Sequence, residues 1–244
     1  MINFLIPIFI LLIFIQNTVF ADTLNQYLNH NSYTNSSAND DVKKLVTDSQ
    51  STERITLSKN LENFNEIESK ISANIEITLS DENSCEIIGN KNTLKKITTN
   101  IHRVNNNTRL VIDSSSPYLA YQFLKIKILV KNFSALIQSG AGNITINNYH
   151  GEMLKVVLYG VGNIFGYGQV RTLQAFIEGS GIISFEKLIA NQVYASILGS
   201  GEIMVHSRNK MTAEIHGNGE IIYAGKPNHV DQTVTGNGQI IRLH

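Results

Sequence analysis

From Arg54 onward the chain consists of short Ile- and Val-rich runs separated by polar clusters. Ile75-Glu76-Ile77-Thr78-Leu79, Arg109-Leu110-Val111-Ile112 and the run from Phe123 to Val130 alternate in part between apolar and polar positions, the period of a strand. Between them stand turn formers: Ser80-Asp81-Glu82-Asn83, Asn105-Asn106-Asn107 and Ser114-Ser115-Ser116-Pro117. No stretch carries a sustained helical period. This pattern predicts an all-β chain.

A repeat then fixes the kind of β structure. Gly140-Ala141-Gly142-Asn143-Ile144 recurs as Gly160-Val161-Gly162-Asn163-Ile164 and Gly179-Ser180-Gly181-Ile182-Ile183. It continues as Gly199-Ser200-Gly201-Glu202-Ile203, Gly217-Asn218-Gly219-Glu220-Ile221 and Gly236-Asn237-Gly238-Gln239-Ile240. The first glycines are 20, 19, 20, 18 and 19 residues apart. Four residues after each of them stands Ile, and the residues six, four and two before are mostly Leu, Val, Ala, Ile or Met. The polar exceptions in these columns fall in the first and last copies, where a solenoid would meet a cap or solvent. A coil of about 19 residues cannot bury its own apolar face, but coils stacked about 4.8 Å apart build a continuous core. The expectation is a parallel β-helix, with Gly-x-Gly at a corner where a Cβ would clash or φ must be positive. The six copies occupy residues 134–241, preceded by less regular β coils over 54–133.

The residues before Arg54 have a different character. A twelve-residue apolar run from Phe4 to Ile15 leads through Gln16-Asn17-Thr18 to Val19-Phe20-Ala21, which resembles a signal-peptidase site. The run is too short to span a bilayer, which needs about 20 residues. Residues 1–21 therefore read as a secretory signal, with no membrane span left after cleavage. Residues 22–53, rich in Asn, Ser, Thr and Asp, read as a flexible tether. The expected location is outside the cytoplasm: periplasmic, outer-surface or secreted.

The segments Phe64-Asn65-Glu66-Ile67 and Ile71-Ser72-Ala73-Asn74-Ile75-Glu76-Ile77, the hydrophobic turn around Leu94 and the Gly-x-Gly-x-Ile copies together resemble the GIN-domain family of auto-transporter adhesin heads. The resemblance spans about residues 54–241. It implies a β-helical, secreted or envelope-associated bacterial protein, and it supplies no catalytic residues to carry over.

Charge and chemistry narrow the function further. Lys+Arg and Asp+Glu both number 20, so no net field draws the chain to nucleic acid. The single cysteine, Cys85, excludes an internal disulfide and reads as a small buried side chain. Glu202 and Glu220 share a repeat position, so adjacent coils would bring them together as an acid/base pair of the kind glycosidases use. A solvent-facing ladder of Asn, Glu and Gln is the commoner outcome for such a column. His206 and His216 sit at different repeat positions, without metal-ligand spacing. The residue after each Gly-x-Gly lacks the Asp of calcium-binding repeats. No catalytic, cofactor or metal site is expected. Tyr149, Tyr159, Tyr167, Tyr194 and Tyr223 are candidates either for outward sugar-stacking platforms or for covers of core edges. The function expected is a non-enzymatic binding or adhesion module acting through its repetitive surface. Its partner would be an envelope or host-surface glycan or protein, and strand edges at the stack's end would allow self-association. The alternative is a polysaccharide lyase or hydrolase using the stacked carboxylates.

Overall fold

The structure, a computed structural model, describes residues 54–116 and 124–243. They form a β-solenoid. Its strands, in chain order, are β1 (Arg54–Asn60), β2 (Glu66–Ser69), β3 (Asn74–Leu79) and β4 (Ser84–Asn90), a single-turn helix α1 (Lys91–Leu94), then β5 (Ile97–Val104), β6 (Asn107–Ser114) and β7 (Lys125–Val130). The regular part follows as β8 (Ala135–Gln138), β9 (Asn143–Leu158), β10 (Asn163–Gly179), β11 (Ile182–Gly199), β12 (Glu202–Gly217), β13 (Glu220–Ala224), β14 (His229–Gly236) and β15 (Gln239–Arg242).

β9 to β12 are long because each runs down one face of the stack, bends, and continues on the other. The front face holds the strand segments that lead into the glycines, from Ala135–Gln138 through Lys210–Gly217 to β14. The back face holds the segments that follow them, ending in β13 and β15. Every coil-to-coil pairing from β8 onward is parallel.

Register brings like residues onto one another. Ile144, Ile164, Ile183, Ile203, Ile221 and Ile240 are successive partners down the back face. The first five are at most 1% exposed, while Ile240, in the terminal coil, is partly buried. Leu154, Leu173, Val193 and Met211 line the front interior, as do the all-but-inaccessible Ala175, Ala195 and Ala213. A strand alternates its side chains between faces, so one apolar residue in two suffices to fill this core.

The glycine corners have two separate causes. At Gly199 and Gly217 φ is +131° and +139°, in the left-handed region that a Cβ disfavours. At Gly201 φ is not positive, but a Cβ there would lie 2.7 Å from Ile177 Cγ2 and 2.8 Å from the Gly181 carbonyl oxygen. From Gly179 onward the first glycine of each pair has a positive φ, and a Cβ at either glycine would strike the coil below.

The less regular coils expected ahead of the first Gly-x-Gly continue the stack: Ile144 pairs with Ile75, and Ile75 with Ile126. β2–β3 and β6–β7 are thus further parallel coils, with β2 lying between β6 and β8. The β2–β3 corner is Ile71-Ser72-Ala73 rather than Gly-x-Gly, so the motif did not mark it. Beyond these coils the region 54–133 is antiparallel: β4 runs against β7 and β1, and β5 against β6. The polar cluster at Ser80–Asn83 reverses the chain, and Asn105, at φ 56°, makes the β5–β6 hairpin turn as Asn readily does. Gln138, the polar exception of the first copy, is 1% exposed: the β2–β3 coil covers it, so of the two places expected for such a residue it lies under a cap and not at solvent. Its Nε2 donates to the Gly142 carbonyl at 2.6 Å, using the space left by the missing Cβ of Gly162.

Candidate functional site

The outward columns of the back face carry the candidate site. The residue after each Gly-x-Gly projects from the sheet opposite to the buried Ile that follows it. Register stacks Lys125, Asn74, Asn143 and Asn163 into one outward column, continued by Ile182, Glu202, Glu220 and Gln239. Asn163 Nδ2 donates to Asn143 Oδ1 at 3.0 Å, an amide bond between coils. Two residues on, Glu76, Thr145 and Phe165 form the neighbouring column.

Where these columns meet β1, a groove of about 490 Å³ opens on the surface. Arg54, Asn74, Glu76, Lys125, Asn143 and Thr145 supply its polar lining, and Phe165 an aromatic one. Lys125 Nζ lies 2.8 Å from Glu76 Oε1, both side chains being 43% exposed. Such a pair contributes about 1 kcal/mol or less to stability and leaves its remaining donors and acceptors to solvent or a ligand. Amides, opposite charges and one aromatic ring in an open groove suit a neutral, hydroxyl-rich ligand better than a strongly charged one.

The front face has a smaller aromatic cluster. The Phe176 and Tyr194 rings lie 5.5 Å apart at 47°, with Lys155 Nζ 5.5 Å from the Phe176 ring centre. Tyr194 Oη donates to Glu214 at 2.7 Å, and this bond to a carboxylate raises the phenol's pKa.

The sequence candidates separate accordingly. Tyr159 and Tyr167 are exposed and Tyr194 is half-buried. Tyr149 and Tyr223, at 2% and 6% exposure, are core residues and cannot serve as platforms. Tyr149 lies inside because Asn148, at φ 54°, kinks the strand, and its hydroxyl lies between the Phe133 and Met153 carbonyls, 2.8 and 2.7 Å away, with its single proton to give to one of them. Glu202 and Glu220 are direct register partners, both half-buried on the outer surface. His206 and His216 are not brought together, since His206 stands on the back face and His216 on the front. Among the described residues no group of three or more His, Cys, Asp or Glu is placed to hold a metal ion. No helix among them is long and apolar enough to cross a membrane.

Cys85 is 1% exposed, and burial pushes its thiol up to about 12. Native protein at neutral pH should therefore resist alkylation, with labelling only on unfolding. The raised pKa also sets a pH trend. The folded state keeps its proton between about pH 8.5, where a free thiol ionises, and 12, while the unfolded state loses it. Cys85 should therefore make stability fall as pH rises through that window, a slope that Cys85→Ser, compared by urea melts at pH 8 and pH 10, should reduce.

Sequence reading missed one charged cluster on the front face. Arg109 Nη2 lies 2.7 Å from Glu66 Oε2, and Nη1 lies 3.0 Å from Glu68 Oε2. Asn107 Nδ2 donates to Glu66 as well, at 2.6 Å. These bonds tie β6 to β2. They could have been read only from strand pairing, because the partners are about forty residues apart in the chain.

Residues 63–227 match the family described as putative auto-transporter adhesin, head GIN domain. The chain belongs to the GIN-domain family. Solved structures similar to this GIN domain include a putative adhesin from Bacteroides fragilis, 24% identical, with a TM-score of 0.66 over 79% of this chain and 98% of that one. Putative adhesins from Parabacteroides merdae and Parabacteroides distasonis are each 18% identical, with TM-scores of 0.52 and 0.54. The alignments cover 80% and 79% of this chain and 98% of each relative. At such identities the likeness shows a shared solenoid. No curated protein matches the chain.

Proposed function

We propose that this GIN domain is an exported, non-enzymatic binding module that holds a glycan chain along its back face. The supporting observation is the groove lined by Phe165, Asn74 and Asn143 together with the column that continues from it. Asn and Thr side chains donate and accept hydrogen bonds without fixed charge, as sugar hydroxyls require. A repeat of about 4.8 Å presents such groups in series to an extended polymer, so weak contacts add by multivalency. The adhesin names of the structural relatives agree with a binding role. The apolar run from Phe4 to Ile15, ending at Ala21, agrees with export.

The test uses protein recovered after export, whose N-terminus should be Asp22. Retention on immobilised envelope and host-surface polysaccharides should be lost or weakened about tenfold in Phe165→Ala, the scale of one aromatic contact. Binding that is indifferent to Phe165 and Asn143 would remove this face from consideration. The register pairing of Glu202 with Glu220 favours one competing reading, a glycan-cleaving pair. Release of new sugar ends that vanishes in Glu202→Gln would establish that reading in place of ours.

A further inference from the structure

The two ends of the solenoid differ. At the first end, β1 and β5 are the outermost strands of the back and front faces. Lys59 of β1 reaches across this end, and its Nζ donates to the Thr99 carbonyl of β5 at 3.1 Å. A charge laid over the mouth of the stack guards it against a further coil.

At the other end, among the described residues, β14 pairs only with β12 and β15 only with β13 on their ladders, which leaves one edge of each strand unpaired. The columns that are buried in every earlier full coil surface here: Val230 is 36% exposed, Val234 43%, and Ile240 is only partly covered. Two polar residues break the apolar pattern. Gln232 stands where the coils before it carry Ala213, Ala195 and Ala175, and Arg242 stands in register with the buried Tyr223. Arg242 Nη2 donates to the Gly225 carbonyl at 3.2 Å, which uses one of its five donors.

Counting alternate residues away from the shared corner places Val234 across the core from Ile240, and Gln232 across from Arg242. A two-fold axis parallel to the strands exchanges front and back faces while keeping the glycine corner over itself. Under that operation β14 of one copy lies antiparallel to β15 of the other, with Val234 against Ile240 and Gln232 against Arg242. Thr233 then meets Ile241 on the outer surface, a β-branched pair of the kind favoured between strands. Both ladders form at once, because the interface is isologous. The amide and the guanidinium, each out of place in a lone apolar coil, satisfy one another across the axis.

We propose that two copies of this chain cap one another through their terminal coils, β14 against β15 of the second copy. The eight residues of β14 make the end about 27 Å long, and two sheets about 10 Å apart with their side chains make it about 20 Å wide. The covered area is then about 500 Å² on each copy, below the roughly 800 Å² of a standard interface, so the dimer should be reversible. Two rigid stacks joined at one end would present their groove-bearing ends outward in opposite directions.

Sedimentation velocity of the full chain tests this from about 1 µM to about 0.5 mM, a range that brackets an interface of this size. We expect monomer to give way to a single dimer species with rising concentration. Val234→Lys should remain monomeric throughout with an unchanged circular dichroism spectrum, since the site is already exposed in one copy. Gln232→Arg should weaken the dimer at least about tenfold by opposing two guanidinium groups, and adding Arg242→Gln should restore it. A wild-type chain that stays monomeric at 0.5 mM overturns the proposal. So does a dimer indifferent to Val234→Lys, a failure of the double variant to recover, or growth beyond the dimer into filaments.

Discussion

Ile203→Ala should lower the stability of the solenoid by about 2–4 kcal/mol. Ile203 has no exposed surface and is stacked between Ile183 and Ile221 in the register of the back face. Removing three carbons there leaves a hole with full coils above and below. Each coil is tied to its neighbours by main-chain hydrogen bonds, such as Glu202 N to Gly181 O at 3.0 Å and Glu220 N to Gly201 O at 3.0 Å. The coils therefore cannot slide together to close the hole, which places the cost toward the upper part of the range. The adjacent residue supplies the control. Glu202 points outward and is half-buried beside Glu220, so Glu202→Ala should cost less than about 0.5 kcal/mol. Relief of the like-charge contact would even favour the variant slightly. Urea melts of the two variants decide the matter: equal midpoints would mean that inward and outward faces had been exchanged.

The contrast between these neighbours shows how much of the fold was legible. A period near 19 residues gave the coil, and the columns within it separated Ile203 from Glu202, because burial in a stack is a property of the column. The front end was less legible for the same reason. β2–β3 forms a coil without a Gly-x-Gly, and the chain winds β6–β7 onto its outer side before returning to β8. Such an excursion leaves no periodic trace. Antiparallel pairing of β1, β4 and β5 alternates apolar and polar residues just as parallel pairing does, so hydropathy cannot distinguish them. The candidate site was legible only in part. The Asn and Glu column follows from the repeat, but the groove depends on Arg54, Glu76 and Lys125, which lie outside it. Two of the five tyrosines turned inward because a local kink at Asn148 and the column of Phe185, Val205 and Tyr223 place them there. The Gln232 and Arg242 exceptions were visible as letters, but their opposition across the terminal coil required the coil's geometry.

The corner glycines carry the second large effect. Gly217→Ala should destabilise the protein by about 3 kcal/mol or more, for two reasons that act together. At φ +139° an L side chain is strained whatever space surrounds it. The added Cβ would also press on the Gly199 carbonyl of the coil below, with the Gly199 carbon 3.1 Å away. That carbonyl cannot retreat, since it accepts the Asn218 N–H at 2.9 Å and so sets the spacing between coils at the corner. Relaxing the clash would mean lengthening the bond that stacks the corner, whereas keeping the bond retains the clash. Asn218, one residue on, isolates the effect: it is exposed and accepts one side-chain bond, from Asn237 at 3.3 Å. Asn218→Ala should cost no more than about 0.5 kcal/mol. Gly219→Ala separates strain from contact, because φ there is not positive while a Cβ would lie 2.7 Å from both the Gly201 oxygen and Ile197 Cγ2. Its cost should fall between the other two, because the backbone there is unstrained and the Cβ would press on the carbonyl of the coil below less closely than at Gly217. Thermal melts of the three variants should therefore rank Gly217→Ala lowest, Gly219→Ala next and Asn218→Ala near the parent. A Gly217→Ala melt coinciding with that of Asn218→Ala would show that the coils are not held at the spacing from which the whole stack derives its core.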